Sequence, residues 1–146
     1  MRGAESVLDD VVLNKVVVIE RCLARIREEY QGHEAELMTD FTRQDSIILN
    51  LLRACEAAID VAMHLARVRR LGIPQDSWDA FTLLEQAKLI PGDLSQRLQA
   101  MVGFRNIAIH DYQKLNLEVV RSVLSKYLAD FEVFGQCLLA LSDHSG

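Results

Sequence analysis

Apolar residues recur at three- and four-residue steps along most of the chain, and no segment alternates with the two-residue rhythm of a strand. In the first segment Leu8, Val12, Val16, Ile19, Leu23, Ile26 and Tyr30 form the stripe of a core-facing helix. Gly32 and the polar residues 31–36 read as a connector. A second long helix is predicted to begin near Thr42, where Thr42 and Asp45 have capping-box spacing. Its stripe is Ile48, Leu52, Cys55, Ile59, Ala62 and Ala66, and it is expected to end near Leu71 and Gly72, with Pro74 just beyond. Asp76 or Ser77 then caps a short helix through Trp78, Phe81 and Leu84, and Pro91-Gly92 breaks the chain clearly. After that break Asp93 and Gln96 resemble a capping box, opening a helix through Leu94, Leu98 and Met101 to about His110. Asn116 is placed to cap one last long helix, striped by Leu117, Val120, Leu124, Tyr127, Phe131, Phe134, Leu138 and Leu141.

This pattern has no repeats and no linker, so residues 1–146 read as one all-α domain, a bundle of about five helices. Half of the residues are hydrophobic, yet no apolar run approaches the roughly 18–20 residues of a membrane span. Asn14 and Lys15 interrupt residues 11–19, and Asn50 interrupts residues 47–52. The first ten residues hold no apolar run ending in a cleavable small-residue site, so the expectation is a soluble cytoplasmic protein.

Charge and cysteines narrow the chemistry. Sixteen basic against 21 acidic residues give a net charge of −5, which disfavours a generic nucleic-acid-coating protein. Any nucleic-acid chemistry must therefore sit at a local basic site. Cys22, Cys55 and Cys137 are isolated and odd in number, which fits neither a disulfide framework nor a zinc site. No glutamate is followed three residues later by histidine, and H-E-x-x-H, phosphate-loop, dinucleotide and nucleophile-elbow motifs are all absent. No metal and no cofactor are expected.

One constellation remains, in residues 104–112: Arg105, Asn106, His110 and Tyr112. Arg105 is an always-charged fork suited to phosphate oxygens, and His110 is a general acid or base near neutral pH. Together they hold what metal-free RNA cleavage needs: a base for the ribose 2′-hydroxyl and a cation for the phosphorane charge. Residues five apart on a helix lie about 140° apart around its axis, so Arg105 and His110 do not share a face. Asn106 and His110 do, which lets Asn106 hold the imidazole by a hydrogen bond. Two copies related by a two-fold axis would complete a cleft that one copy leaves lopsided. The same residues also suit a plainer role, since Arg and His near a helix C-terminus complement its dipole.

At this motif the chain resembles the HEPN superfamily and specifically its HepT toxin branch, with Arg105-Asn106-Ile107-Ala108-Ile109-His110-Asp111-Tyr112 following R-N-x-x-x-H-x-Y. Gly103, the final helix and the Gln44-Asp45 opening of the second helix extend the resemblance over nearly the whole chain. It implies a HEPN-type symmetric homodimer that cleaves RNA, with Arg105 and His110 catalytic; Asn106 keeps the supporting role that its spacing from His110 gives it. It further implies a minimal nucleotidyltransferase antitoxin that attaches AMP to Tyr112. The alternative is a HEPN-like module that binds a nucleotide, RNA or protein without cutting, which the acidic balance favours and the intact Arg105–His110 pair disfavours. Asp45 and Glu56 are candidates to orient Arg105, or else surface ion-pairing residues. Arg67, Arg69 and Arg70 either complement a helix end or guide RNA, while His33, His64 and His144 show no partner pattern.

Overall fold

The computed structural model describes residues 9–112 and 115–141. Among them are α1 (Asp10–Tyr30), a 3-10 turn (Glu34–Glu36), α2 (Phe41–Val68), α3 (Ser77–Gln86), α4 (Gly92–His110), α5 (Leu117–Lys126) and α6 (Leu128–Ala140), with no strand. The all-α expectation holds, but the described residues form six α-helices rather than about five. The single last helix divides at Tyr127. There the Asp130 amide reaches back to the Tyr127 carbonyl at 3.1 Å, a tight three-residue turn. The turn lets Asp130 point inward, buried, where Arg97 Nε donates to its Oδ1 at 2.8 Å.

The first stripe is the core face of α1: Val12, Val16, Ile19, Leu23 and Ile26 are all buried. Leu8 and His144 lie outside the described residues. Helices α1 and α2 run antiparallel, as their polar pairs show. Arg43 Nη1 donates to the Glu29 carbonyl at 2.8 Å at one end, and His64 Nε2 meets Asp9 Oδ2 at 2.5 Å at the other. Small residues on α2 (Ala54, Ala57, Ala58, Ala62, Ala66) let its neighbours approach closely, and α3, α4 and α6 complete the core around it. Phe81 and Phe134 meet edge to face there at 5.8 Å, both fully buried.

Helix ends differ in detail from the sequence reading. Asp40, not Thr42, caps α2, its carboxylate accepting from the Arg43 amide at 3.1 Å. Asp76 and Asn116 cap α3 and α5 as expected. Pro91 precedes α4 without a side-chain cap, and Asp93 accepts from the adjacent Leu94 amide instead of forming a capping box. Helix α2 stops at Val68, before Gly72. Arg70, at φ 54°, takes the left-handed position, and the Leu71 amide bonds back to the Ala66 carbonyl at 2.9 Å, a Schellman closure without glycine. Gly72 has its own reason to be glycine: at φ +145°, an added Cβ would meet Leu83 Cδ2 at 2.9 Å. No described helix is long and apolar enough to cross a membrane.

Candidate functional site

Helix α4 carries the motif. Its buried face is Leu94, Leu98, Met101, Val102, Phe104 and Ala108, and that register fixes where the polar residues between them point. Arg105 falls beside this face and turns back towards the bundle, its side chain only 17% exposed. Two elements hold it. Its Nη2 donates to Ser77 Oγ, at the start of α3, at 3.3 Å, and its Nε lies 3.6 Å from Glu56 Oε2 on α2. The separation from Glu56 is an ion pair and not a hydrogen bond, so the buried Nε–H has no acceptor.

His110 is the last residue of α4 and is exposed. No described side chain bonds to its ring, and the helix closes behind it through the Asp111 amide on the Ile107 carbonyl at 2.9 Å. The expected Asn106–His110 hydrogen bond is not formed between these half-buried and exposed side chains. Arg105 and His110 are likewise not joined directly. A single chain thus presents an anchored cation and an exposed imidazole on different sides of one helix.

Tyr112 lies just past the helix, 45% exposed, and its hydroxyl donates to Asp45 Oδ1 on α2 at 2.9 Å. Partial burial, that hydrogen bond and the carboxylate's charge push the phenol up to about 12. The two candidates for orienting Arg105 therefore divide: Glu56 faces Arg105, and Asp45 holds Tyr112. Ser77, read from sequence only as a possible cap, is the contact that sequence reasoning missed; nothing in the local pattern marks it as a partner of a residue 28 positions away.

Beyond Glu56, Asp60 and His64 follow on the same face of α2 and border an open groove of about 890 Å³. Val11, Met63, Ile73 and Pro74 line it together with Lys15, Arg67 and Arg70. His64, which shows no partner pattern in the sequence, has two partners here: Asp9 on Nε2, and Arg67 Nη2 on Nδ1 at 3.1 Å. Burial raises the Asp9 carboxyl, but the His64 and Val11 hydrogen bonds outweigh it and leave its pKa below the ordinary value. His33 also finds a partner, Glu36, at 2.8 Å. The three cysteines are free; burial pushes Cys55 up to about 12 and raises Cys22 and Cys137, so they pack as apolar groups. No group of three or more His, Cys, Asp or Glu among the described residues is arranged to hold a metal ion.

Helix α4 thus carries the arginine and ends on the histidine, with the tethered tyrosine just beyond it. The family described as ribonuclease HepT-like matches residues 19–138, and the chain belongs to it. It is 53% identical over 127 residues to the mRNA nuclease HepT of Shewanella oneidensis (strain MR-1), spanning 87% of this chain and 95% of that protein. Its fold is similar to the tri-AMPylated Shewanella oneidensis HEPN toxin in complex with MNT antitoxin, with a TM-score of 0.85 and 52% identity over 90% of this chain and 98% of that one. A toxin–antitoxin structure with AMP-PNP is similar at a TM-score of 0.83 and 50% identity, covering 89% of this chain and 98% of that one.

Proposed function

We propose that the chain is the toxin ribonuclease of a HEPN/MNT toxin–antitoxin pair, cutting RNA without a metal in the cleft of a homodimer. The observation that carries this reading is the arrangement on α4: an arginine held from two sides, and a histidine exposed at the helix end. In the cleft, one copy's His110 takes the proton of a ribose 2′-hydroxyl, and that oxygen attacks the adjacent phosphorus. The 5′-oxygen leaves with its electron pair and is protonated by the second copy's His110. Arg105 stabilises the charge that gathers on the phosphorane oxygens, and a cyclic phosphate remains. Asn106 supports the imidazole when substrate orders the cleft.

The partner is a minimal nucleotidyltransferase antitoxin that attaches AMP to Tyr112. Each AMP adds bulk and about one negative charge just past the end of α4, which repels incoming RNA phosphates. The relatives support this reading through their names: an mRNA nuclease, and an AMPylated toxin bound to its antitoxin.

The test is to incubate purified protein with total RNA, with and without EDTA. Cleavage that survives EDTA, leaves 2′,3′-cyclic phosphate ends and disappears in His110→Ala is expected. RNA bound but left whole by a folded wild type would assign the chain to the non-catalytic binding alternative. Light scattering at micromolar concentration should give twice the chain mass of 16.5 kDa.

A further inference from the structure

The Tyr112–Asp45 pair invites a question that the proposed modification leaves open: where the phenol proton goes. A phenol is a poor nucleophile while protonated, and here its pKa is pushed up to about 12, so only a very small fraction is phenolate near neutral pH. Free ionisation therefore does not supply the attacking oxygen. Something in contact with the hydroxyl must take the proton as the new bond forms.

We infer that Asp45 is the general base for AMP attachment to Tyr112, so that the acceptor chain brings its own catalytic carboxylate to the transfer. The geometry is already that of a base and its substrate. The phenolic oxygen and Asp45 Oδ1 are 2.9 Å apart, with the hydroxyl donating. Asp45 belongs to α2 and Tyr112 lies 67 positions later, so the pairing is made by the fold and not by neighbouring sequence. Both residues are exposed, which leaves the far side of the phenolic oxygen open to a nucleotide presented by a partner. Arg43, two positions before Asp45, is engaged by Glu29, Glu36 and Asp40.

The step balances simply and rests on the modification reading above. The Tyr112 oxygen forms a bond to the α-phosphorus of an adenosine triphosphate brought by the nucleotidyltransferase. The bond from that phosphorus to the bridging oxygen breaks, and pyrophosphate leaves with the electron pair. The phenolic proton passes to Asp45 Oδ1 and from there to water. The same contact that disfavours a free phenolate stabilises the transfer, because the carboxylate accepts the proton only as negative charge moves from oxygen to phosphorus.

The test compares wild type, Asp45→Asn and Asp45→Ala, each incubated with the partner nucleotidyltransferase, magnesium and ATP, following mass gain on Tyr112 with time. Asparagine keeps an oxygen that accepts from the hydroxyl but cannot take its proton. Asp45→Asn should slow modification about hundredfold, with a rate that rises tenfold per pH unit as phenolate forms, a slope absent from wild type. Formate should restore part of the rate to Asp45→Ala. Circular dichroism checks that each variant keeps its helices. An Asp45→Asn protein modified within about threefold of the wild-type rate, with Asp45→Ala impaired, would reduce Asp45 to a positioning residue and overturn the inference. A wild type that gains no mass overturns the modification reading itself, and this inference with it.

Discussion

Arg105 on α4 faces Glu56 on α2 across 3.6 Å, and with its bond to Ser77 it ties together three helices that local sequence keeps far apart. The pair is long and Glu56 is 44% exposed, so its contribution to stability is small, at most about 1 kcal/mol. Under the proposed mechanism its value is in aim, the carboxylate fixing the guanidinium for an incoming phosphate. Glu56→Gln should leave the urea midpoint almost unchanged while RNA cleavage falls about tenfold. A variant that loses stability and keeps its cleavage rate would give Glu56 a purely structural role.

In the proposed mechanism Arg105 and His110 act on one transition state from two sides of the helix. Arg105→Ala and His110→Ala should each reduce cleavage at least about hundredfold. The double variant should be scarcely worse than the weaker single one, because neither group completes the step alone. Single-turnover assays on all three proteins decide this. Losses that multiply would mean the two side chains serve separate steps.

Phe81 tests the core that holds α3, and so Ser77, against α4. It is 1% exposed and meets Phe134 at 5.8 Å. Phe81→Ala should destabilise the protein by about 3–5 kcal/mol. Denaturant unfolding measures it, and a loss under about 1 kcal/mol would show that the surrounding helices collapse into the cavity.

Tyr112 gives a pH signature with a definite sign. Its pKa stands at about 12 in the folded chain against 10.0 for the free side chain, from partial burial first and the Asp45 contact second. The folded state thus holds the phenolic proton more tightly than the unfolded one. The resulting stability is fully present below pH 10 and is lost as pH rises from about 10 through 12. The gap in unfolding free energy between wild type and Tyr112→Phe should close across that window and stay constant below it. A gap that widened with pH would contradict the assignment.

The stripe from Val12 to Ile26, the caps at Asp76 and Asn116 and the extent of α4 were all readable, because each rests on spacing within a few residues. The division at Tyr127 was not. No glycine or proline marks it, and Val120, Leu124, Tyr127 and Phe131 continue one apolar rhythm straight across. The turn goes with the burial of Asp130 against Arg97, a pairing between positions 33 apart. The site divides along the same line. Arg105, His110 and Tyr112 stand in one short motif, whereas the contacts to Ser77, Glu56 and Asp45 depend on how helices pack, which periodicity leaves open. Asp45 shows this best: its position on α2 made it a candidate neighbour of Arg105, and the packing gave it to Tyr112.

Arg105 is held from elsewhere and His110 is held by nothing described, and survivor genetics should register that asymmetry. Among cells that outlive expression of the chain, mutations that disable the arginine have several codons to fall on: its own, Ser77 and Glu56. Those that disable the histidine have two, its own and that of Asn106. Sequencing such escapees should return a scatter of lesions over α2, α3 and α4 for the first group and a narrow pair of positions on α4 alone for the second.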